Sequence, residues 1–181
     1  MSYIPALSRE AVSPAVGTSL DAVQKKLGML PNLFRTFAHT PVALNAYLQL
    51  ADTAAGGRFS AKQRELIALA VGDRNACDYC LAAHAAIGRM VGLDPGDIAA
   101  ARSANAKSAG DAAVLALAQR IVDTRGHVPT AELDAFKAAG FDDAAILEVL
   151  VNVVLNIYTN YTNHLARTEI DFPAAPAARA A

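Results

Sequence analysis

Read for its hydrophobic and polar positions, the chain breaks into apolar-rich stretches separated by capping residues and breakers, and the stretches predict helices. "SLDAVQKKLG" opens on a capping Ser or Asp and stops at Gly28. "PNLFRTFAHT" and "PVALNAYLQLADTAAGG" each open with a Pro suited to a first turn, and the second ends at Gly56-Gly57. Ser60 and Gln63 form a capping-box pattern ahead of "ELIALAVG". A further stretch runs to Gly92, and Asp94-Pro95 caps and starts the next. "GDAAVLALAQRIVDTRG", "TAELDAFKAAG" and "DDAAILEVLVNVVLNIYTNYTNHLAR" complete the set.

The last of these is ambiguous, because its β-branched and aromatic content favours strand. Periodicity decides it. Glu148, Asn152, Asn156, Asn160 and Asn163 recur every three or four residues, as one stripe of a helix would, whereas a strand would turn Asn163 to the other face. The chain therefore reads as all-α, one helical domain over residues 1–173, with 1–24 as an N-terminal extension. Two prolines and small residues make "DFPAAPAARAA" extended or mobile, with a flexible tail expected at 174–181. Glu65 to Cys77 and Glu148 to Asn160 both span twelve residues of similar pattern, which admits a duplicated helical unit.

Composition narrows the partners. Alanine-rich apolar content of 54% and the absence of Trp suit a tightly packed bundle. A net charge of −1 gives no electrostatic case for nucleic acid or an anionic membrane. "MSYIPALSREAVSP" has no basic region followed by an apolar run, so no secretory signal is predicted, and no unbroken run of 18 apolar residues predicts a membrane span. The expected compartment is the cytoplasm, where a CxxC pair is more often redox-active or metal-binding than a permanent disulfide.

The chain has two cysteines, both in "RNACDYCLAAHAAIG". A helix starting near Asn75 or Ala76 would bring Cys77, Cys80 and His84 within roughly 60° of one face. Two effects then compete. Proximity to the helix start favours Cys77 as the thiolate, and the i,i+4 relation places the His84 imidazole over Cys80. Spacing leans towards Cys80 as attacker and Cys77 as resolver. Glu65 opens a run of six apolar residues on the preceding helix, and a hairpin across "GDRNA" would let it orient His84. Zinc lacks a second cysteine pair to complete four ligands. Two inert, buried thiols are the plain alternative. Tyr79 and His164 are candidates for a proton relay or for the wall of a site. His39 and His127, near helix ends, read as solvated caps, and the asparagine stripe as a helix–helix or subunit contact ahead of a site wall. The Tyr and Phe residues read as core.

"ELIALAVGDRNACDYCLAAHAAIG" resembles the core motif of the alkylhydroperoxidase D (AhpD-like) family within the carboxymuconolactone decarboxylase superfamily: Glu, eleven residues, Cys-x-x-Cys, three residues, His. "NIYTNYTNHLARTEIDFP" is similar to the C-terminal signature of that family's peroxidase-related branch, and together the likeness spans roughly residues 25–173. The resemblance implies an all-helical subunit in homotrimers or homohexamers and a thiol peroxidase without metal or other cofactor. It implies that Cys80 attacks an organic hydroperoxide, that Cys77 closes a disulfide with it, and that Glu65 and His84 carry protons. An external dithiol or thiol protein would be the reductant. One position departs: the relay histidine usual before the second cysteine is Tyr79, whose phenol, with a pKa of about 10, is a poor neutral-pH base. The alternatives are a carboxymuconolactone decarboxylase-like enzyme, which does not rely on a CxxC pair, and a non-enzymatic redox sensor or oligomeric scaffold.

Overall fold

A computed structural model describes residues 1–177. Among them are a short 3-10 turn, Arg9–Ala11, and nine α-helices: α1 Pro14–Leu27, α2 Asn32–Phe37, α3 Pro41–Ala55, α4 Ala61–Arg74, α5 Asp78–Met90, α6 Pro95–Arg102, α7 Ala109–Thr124, α8 Thr130–Ala138 and α9 Asp143–Ala166. The fold is all-α. Most starts follow the expected caps, including both halves of the Ser60/Gln63 capping box. Helix α1 begins five residues before the expected Ser19, because Ser13 accepts from the Val16 N–H and Pro14 takes the first helical position. Pro31 is the cap of α2 rather than its first residue.

Helix α4 is the centre. Residues 66–72 are all buried, so it is apolar around its whole circumference and is wrapped by α5, α6, α7 and α9. One core cluster joins Ile67, Leu69 and Val71 to α7 and to Val149 and Val153 of α9. A second lies towards α1, α2 and α3 and contains Cys77, Tyr79 and Cys80. Val16, Leu20 and Val23 of α1 are part of that second cluster, so the N-terminal segment helps to enclose the cysteines.

Helix α9 is long and apolar enough, by length and composition, to cross a bilayer. Its buried side carries Asn152, Asn156, Asn160 and Asn163 and packs on α3, α4, α5 and α7. It runs unbroken through Asn160, where α4 stops at Arg74, and Glu148 pairs with Arg58 at the surface. The two matching sequence stretches are therefore not a structural repeat. The opposite side of α9 leaves Leu147, Leu150, Val154, Tyr161 and Leu165 exposed.

The tail segment expected to be flexible lies against the helices at residues 175 and 176. Arg102 Nη1 donates to the Pro176 carbonyl at 2.6 Å, and Ala175 packs on the main cluster. Residues 178–181 of the expected tail lie outside the described residues.

Helix α4 ends in a Schellman motif. Cys77 N–H donates to the Gly72 carbonyl at 2.9 Å and Ala76 N–H to that of Asp73 at 3.0 Å. Ala76 takes the left-handed position, with φ of 51°. Glycine is the usual residue there, since a Cβ is disfavoured in that region. Ala76→Gly should raise stability by about 1 kcal/mol in denaturant titration, with the thiol geometry kept.

Candidate active site

Helix α5 starts at Asp78, later than the spacing suggests, because left-handed Ala76 cannot continue a helix. Cys77 becomes its N-cap, and Cys80 lies in the first turn, where backbone N–H groups lack intrahelical partners and favour an anion. The short link turns α5 back along α4. His84 Nδ1 thereby lies 2.7 Å from Glu65 Oε2. Glu65 is half-buried at the inner end of α4, where a carboxylate requires a partner.

Both thiols are free and buried, with the sulfurs 2.6 Å apart. They are electrostatically unequal. The hydrogen bond from Cys77 lowers the Cys80 pKa most, burial opposes it, and His84 and the amides of Asn163 and Asn160 lower it further, to about 6. Donating that bond raises Cys77, and burial and the neighbouring Cys80 charge push the same way. At neutral pH Cys80 is the thiolate and Cys77 keeps its proton. Burial disfavours the His84 imidazolium, but the Glu65 charge and hydrogen bond outweigh it, and the Cys80 charge adds to them, so the His84 pKa is raised. The competition between helix start and imidazole is resolved at Cys80, which has both.

The asparagine stripe supplies residues that sequence reasoning placed elsewhere. Asn152 and Asn156 spend their amides on carbonyls of their own helix, at 2.8 Å each. Asn163 Nδ2 instead donates to Cys80 Sγ at 3.2 Å. Asn160 accepts from Asn75 Nδ2 at 2.8 Å, and its backbone carbonyl is 4.0 Å from Cys77 Sγ. The lower half of the stripe is thus a site wall rather than a subunit contact. Buried amides on an apolar helix were the signal available in the sequence.

His164 requires a correction. It is exposed and stacks on Tyr161 with centroids 6.3 Å apart, away from the thiols. One residue past Asn163 is a rotation of about 100°, which carries His164 off the buried face. Tyr79 is a wall: its hydroxyl accepts from the Leu33 N–H at 3.1 Å, and its ring meets Phe172 edge-on. Burial raises its pKa, and the Asp171 carboxylate adds to this, so it stays protonated. His39 lies at the surface, 2.8 Å from the Pro5 carbonyl.

Cys80, Glu65 and His84 line a mostly apolar cavity of about 360 Å³, with Phe34, Tyr47 and Ile87 among the other walls. Cys77 sits behind Cys80 and does not line it. Tyr47, expected in the core, faces this space. Among the described residues no group of three or more His, Cys, Asp and Glu side chains is arranged to hold a metal ion.

Residues 41–123 match the model of the carboxymuconolactone decarboxylase family. The match spans α3 to α7, so it contains Glu65, Cys77, Cys80 and His84 and stops short of Asn160 and Asn163. Solved structures show that the chain has the AhpD-like fold. An uncharacterised peroxidase-related protein with an AhpD core, from Ralstonia eutropha JMP134, superposes with a TM-score of 0.85 at 24% identity, over 94% of this chain and 92% of that one. A peroxidase-related protein from Silicibacter sp. TM1040 gives 0.79 at 24% identity, over 92% of each chain. The debrominase Bmp8, as a cysteine-to-alanine variant in complex with 2,3,4-tribromopyrrole, gives 0.80 at 19% identity, over 97% of this chain and 94% of that one. No curated protein matches the sequence.

The Cys80 pKa sets a pH profile. In reduced protein, iodoacetamide should alkylate Cys80 with a midpoint near pH 6. Below that pH the rate should fall about tenfold per unit, because only the thiolate reacts. Asn163→Ala removes a donor to the thiolate, so the midpoint should move up towards the free-thiol value of about 8.5. A midpoint unchanged in that variant, followed by mass spectrometry, would show that Asn163 does not tune the thiol.

Proposed function

We propose that this protein is a cofactor-free dithiol peroxidase that reduces organic hydroperoxides. The observation that carries the reading is positional: the acidified thiol, Cys80, faces the apolar cavity, and the protonated thiol, Cys77, stands behind it. The Cys80 thiolate attacks the distal oxygen of ROOH, the O–O bond breaks, and Cys80 becomes a sulfenic acid as ROH departs. Cys77 then attacks that sulfur, expels water and closes a disulfide. An external dithiol or thiol protein reduces it by exchange, taking the oxidation onto its own sulfurs. His84, oriented by Glu65, receives the Cys80 proton before attack and stabilises the thiolate as imidazolium. Apolar walls favour an alkyl or aryl hydroperoxide over hydrogen peroxide.

The exposed apolar stripe on α9 supports assembly as a homotrimer or homohexamer, and we place the protein in the cytoplasm on the reducing environment that free thiols need.

The likeness to a debrominase supports a second reading through the same thiols. Cys80 would attack bromine of a brominated ring, the ring carbon would take a proton, and Cys77 would expel bromide as the disulfide forms. Mixing reduced protein with cumene hydroperoxide or with a bromopyrrole separates the two, by cumyl alcohol or by bromide released per disulfide. Under the peroxidase reading, Cys80→Ser should abolish turnover, and Cys77→Ser should oxidise once and stop at a sulfenic acid trapped by dimedone. Full turnover in Cys80→Ser would sink the assignment.

A further inference from the structure

Cleavage of the peroxide bond leaves an alkoxide, and an alkoxide departs slowly into an apolar cavity unless a donor protonates it there. Most donors on the cavity wall are committed. His84 is held between Glu65 and the Cys80 charge. The Tyr79 hydroxyl is occupied by the Leu33 N–H and faces the Asp171 carboxylate. Thr159 Oγ1 donates to the Asn156 carbonyl at 2.9 Å. Lys26 is exposed at the rim.

Tyr47 remains. Its ring is fixed between two phenyl groups, edge-on to Phe34 at 5.2 Å and stacked on Phe37 at 5.7 Å. Phe37 is in turn stacked on Tyr158 of α9 at 5.2 Å, so the ring is braced from the same helix that carries Asn163. Its hydroxyl makes no hydrogen bond among the described residues. A polar tip on a braced ring, without a protein partner, is suited to receive one from a ligand.

We infer that Tyr47 is the catalytic proton donor to the departing oxygen of the hydroperoxide, a role that rests on the peroxidase reading above. Cys80–S⁻ and ROOH give Cys80–SOH and RO⁻. RO⁻ takes the Tyr47 proton to give ROH, and the phenolate regains a proton from solvent through the cavity mouth. Burial and the nearby Glu65 and Cys80 charges raise the phenol to about 12, so it is protonated at neutral pH and its anion is short-lived. The donor missing at Tyr79 is thus supplied from α3.

The test compares Tyr47→Phe with the parent protein on two oxidants, cumene hydroperoxide and a peroxyacid. A peroxyacid releases a carboxylate, which leaves without needing a proton. The variant should lose about a hundredfold in kcat/KM with cumene hydroperoxide. It should keep near-parental rates with the peroxyacid and an unchanged iodoacetamide profile at Cys80. Equal losses with both oxidants would reduce Tyr47 to a packing residue and overturn the proposal, as would no loss with either. A parent protein that alkylates normally yet consumes no hydroperoxide would overturn the peroxidase reading itself, and Tyr47's role with it.

Discussion

A thiolate at Cys80 puts a negative charge among buried aromatic and aliphatic side chains, where an uncompensated charge would be neutralised by a proton. The surrounding fold supplies the compensation from four directions. Cys77 donates its thiol proton from the helix cap, the first turn of α5 presents its backbone dipole, His84 brings positive charge, and Asn163 brings an amide from α9. Each of these elements would be unremarkable alone. Together they hold the charge in a place that water does not reach freely.

The α4–α5 turn makes that convergence possible. A longer link would let the two helices diverge, and a regular helix through residues 75–77 would leave no turn to fold α5 back along α4. The Schellman closure instead stops α4 at Arg74, and Cys77, whose N–H closes the motif, becomes the cap of α5. The left-handed Ala76 bears the strain of this arrangement, and strain of this kind is commonly concentrated at functional sites. Because α5 doubles back, a carboxylate 19 positions earlier in sequence comes within hydrogen-bond distance of the imidazole.

The consequence for chemistry is a division of labour. The attacking thiol faces the cavity and is anionic; the resolving thiol is behind it and keeps a proton. Glu65 and His84 form one side of the site, whereas Tyr79 forms a passive wall tied to α2 and the tail segment. Aromatic rings from α2, α3 and α9 brace the other side.

Much of this was legible in the chain. The helical stripe of asparagines, the capping residues and the Pro-started helices specify an all-α fold, because they are local rules that act within a few residues. The Cys-x-x-Cys–His spacing likewise singles out Cys80 and His84, since i,i+4 neighbours on one helix meet whatever surrounds them, whereas Glu65 reaches His84 only through the turn between α4 and α5. What lay beyond reach of local rules was decided by packing. Asn163 reaches Cys80 from 83 positions away. The single-residue rotation from Asn163 to His164 separates a thiol ligand from an exposed ring. Tyr47 turns from core into cavity wall because α3 packs on α9 and brings its ring to the cavity that Glu65, Cys80 and His84 also line. Sequence periodicity gives the angle of a side chain about its own helix axis; the neighbour it meets depends on where a distant helix lies, and that is fixed by the burial of the whole core.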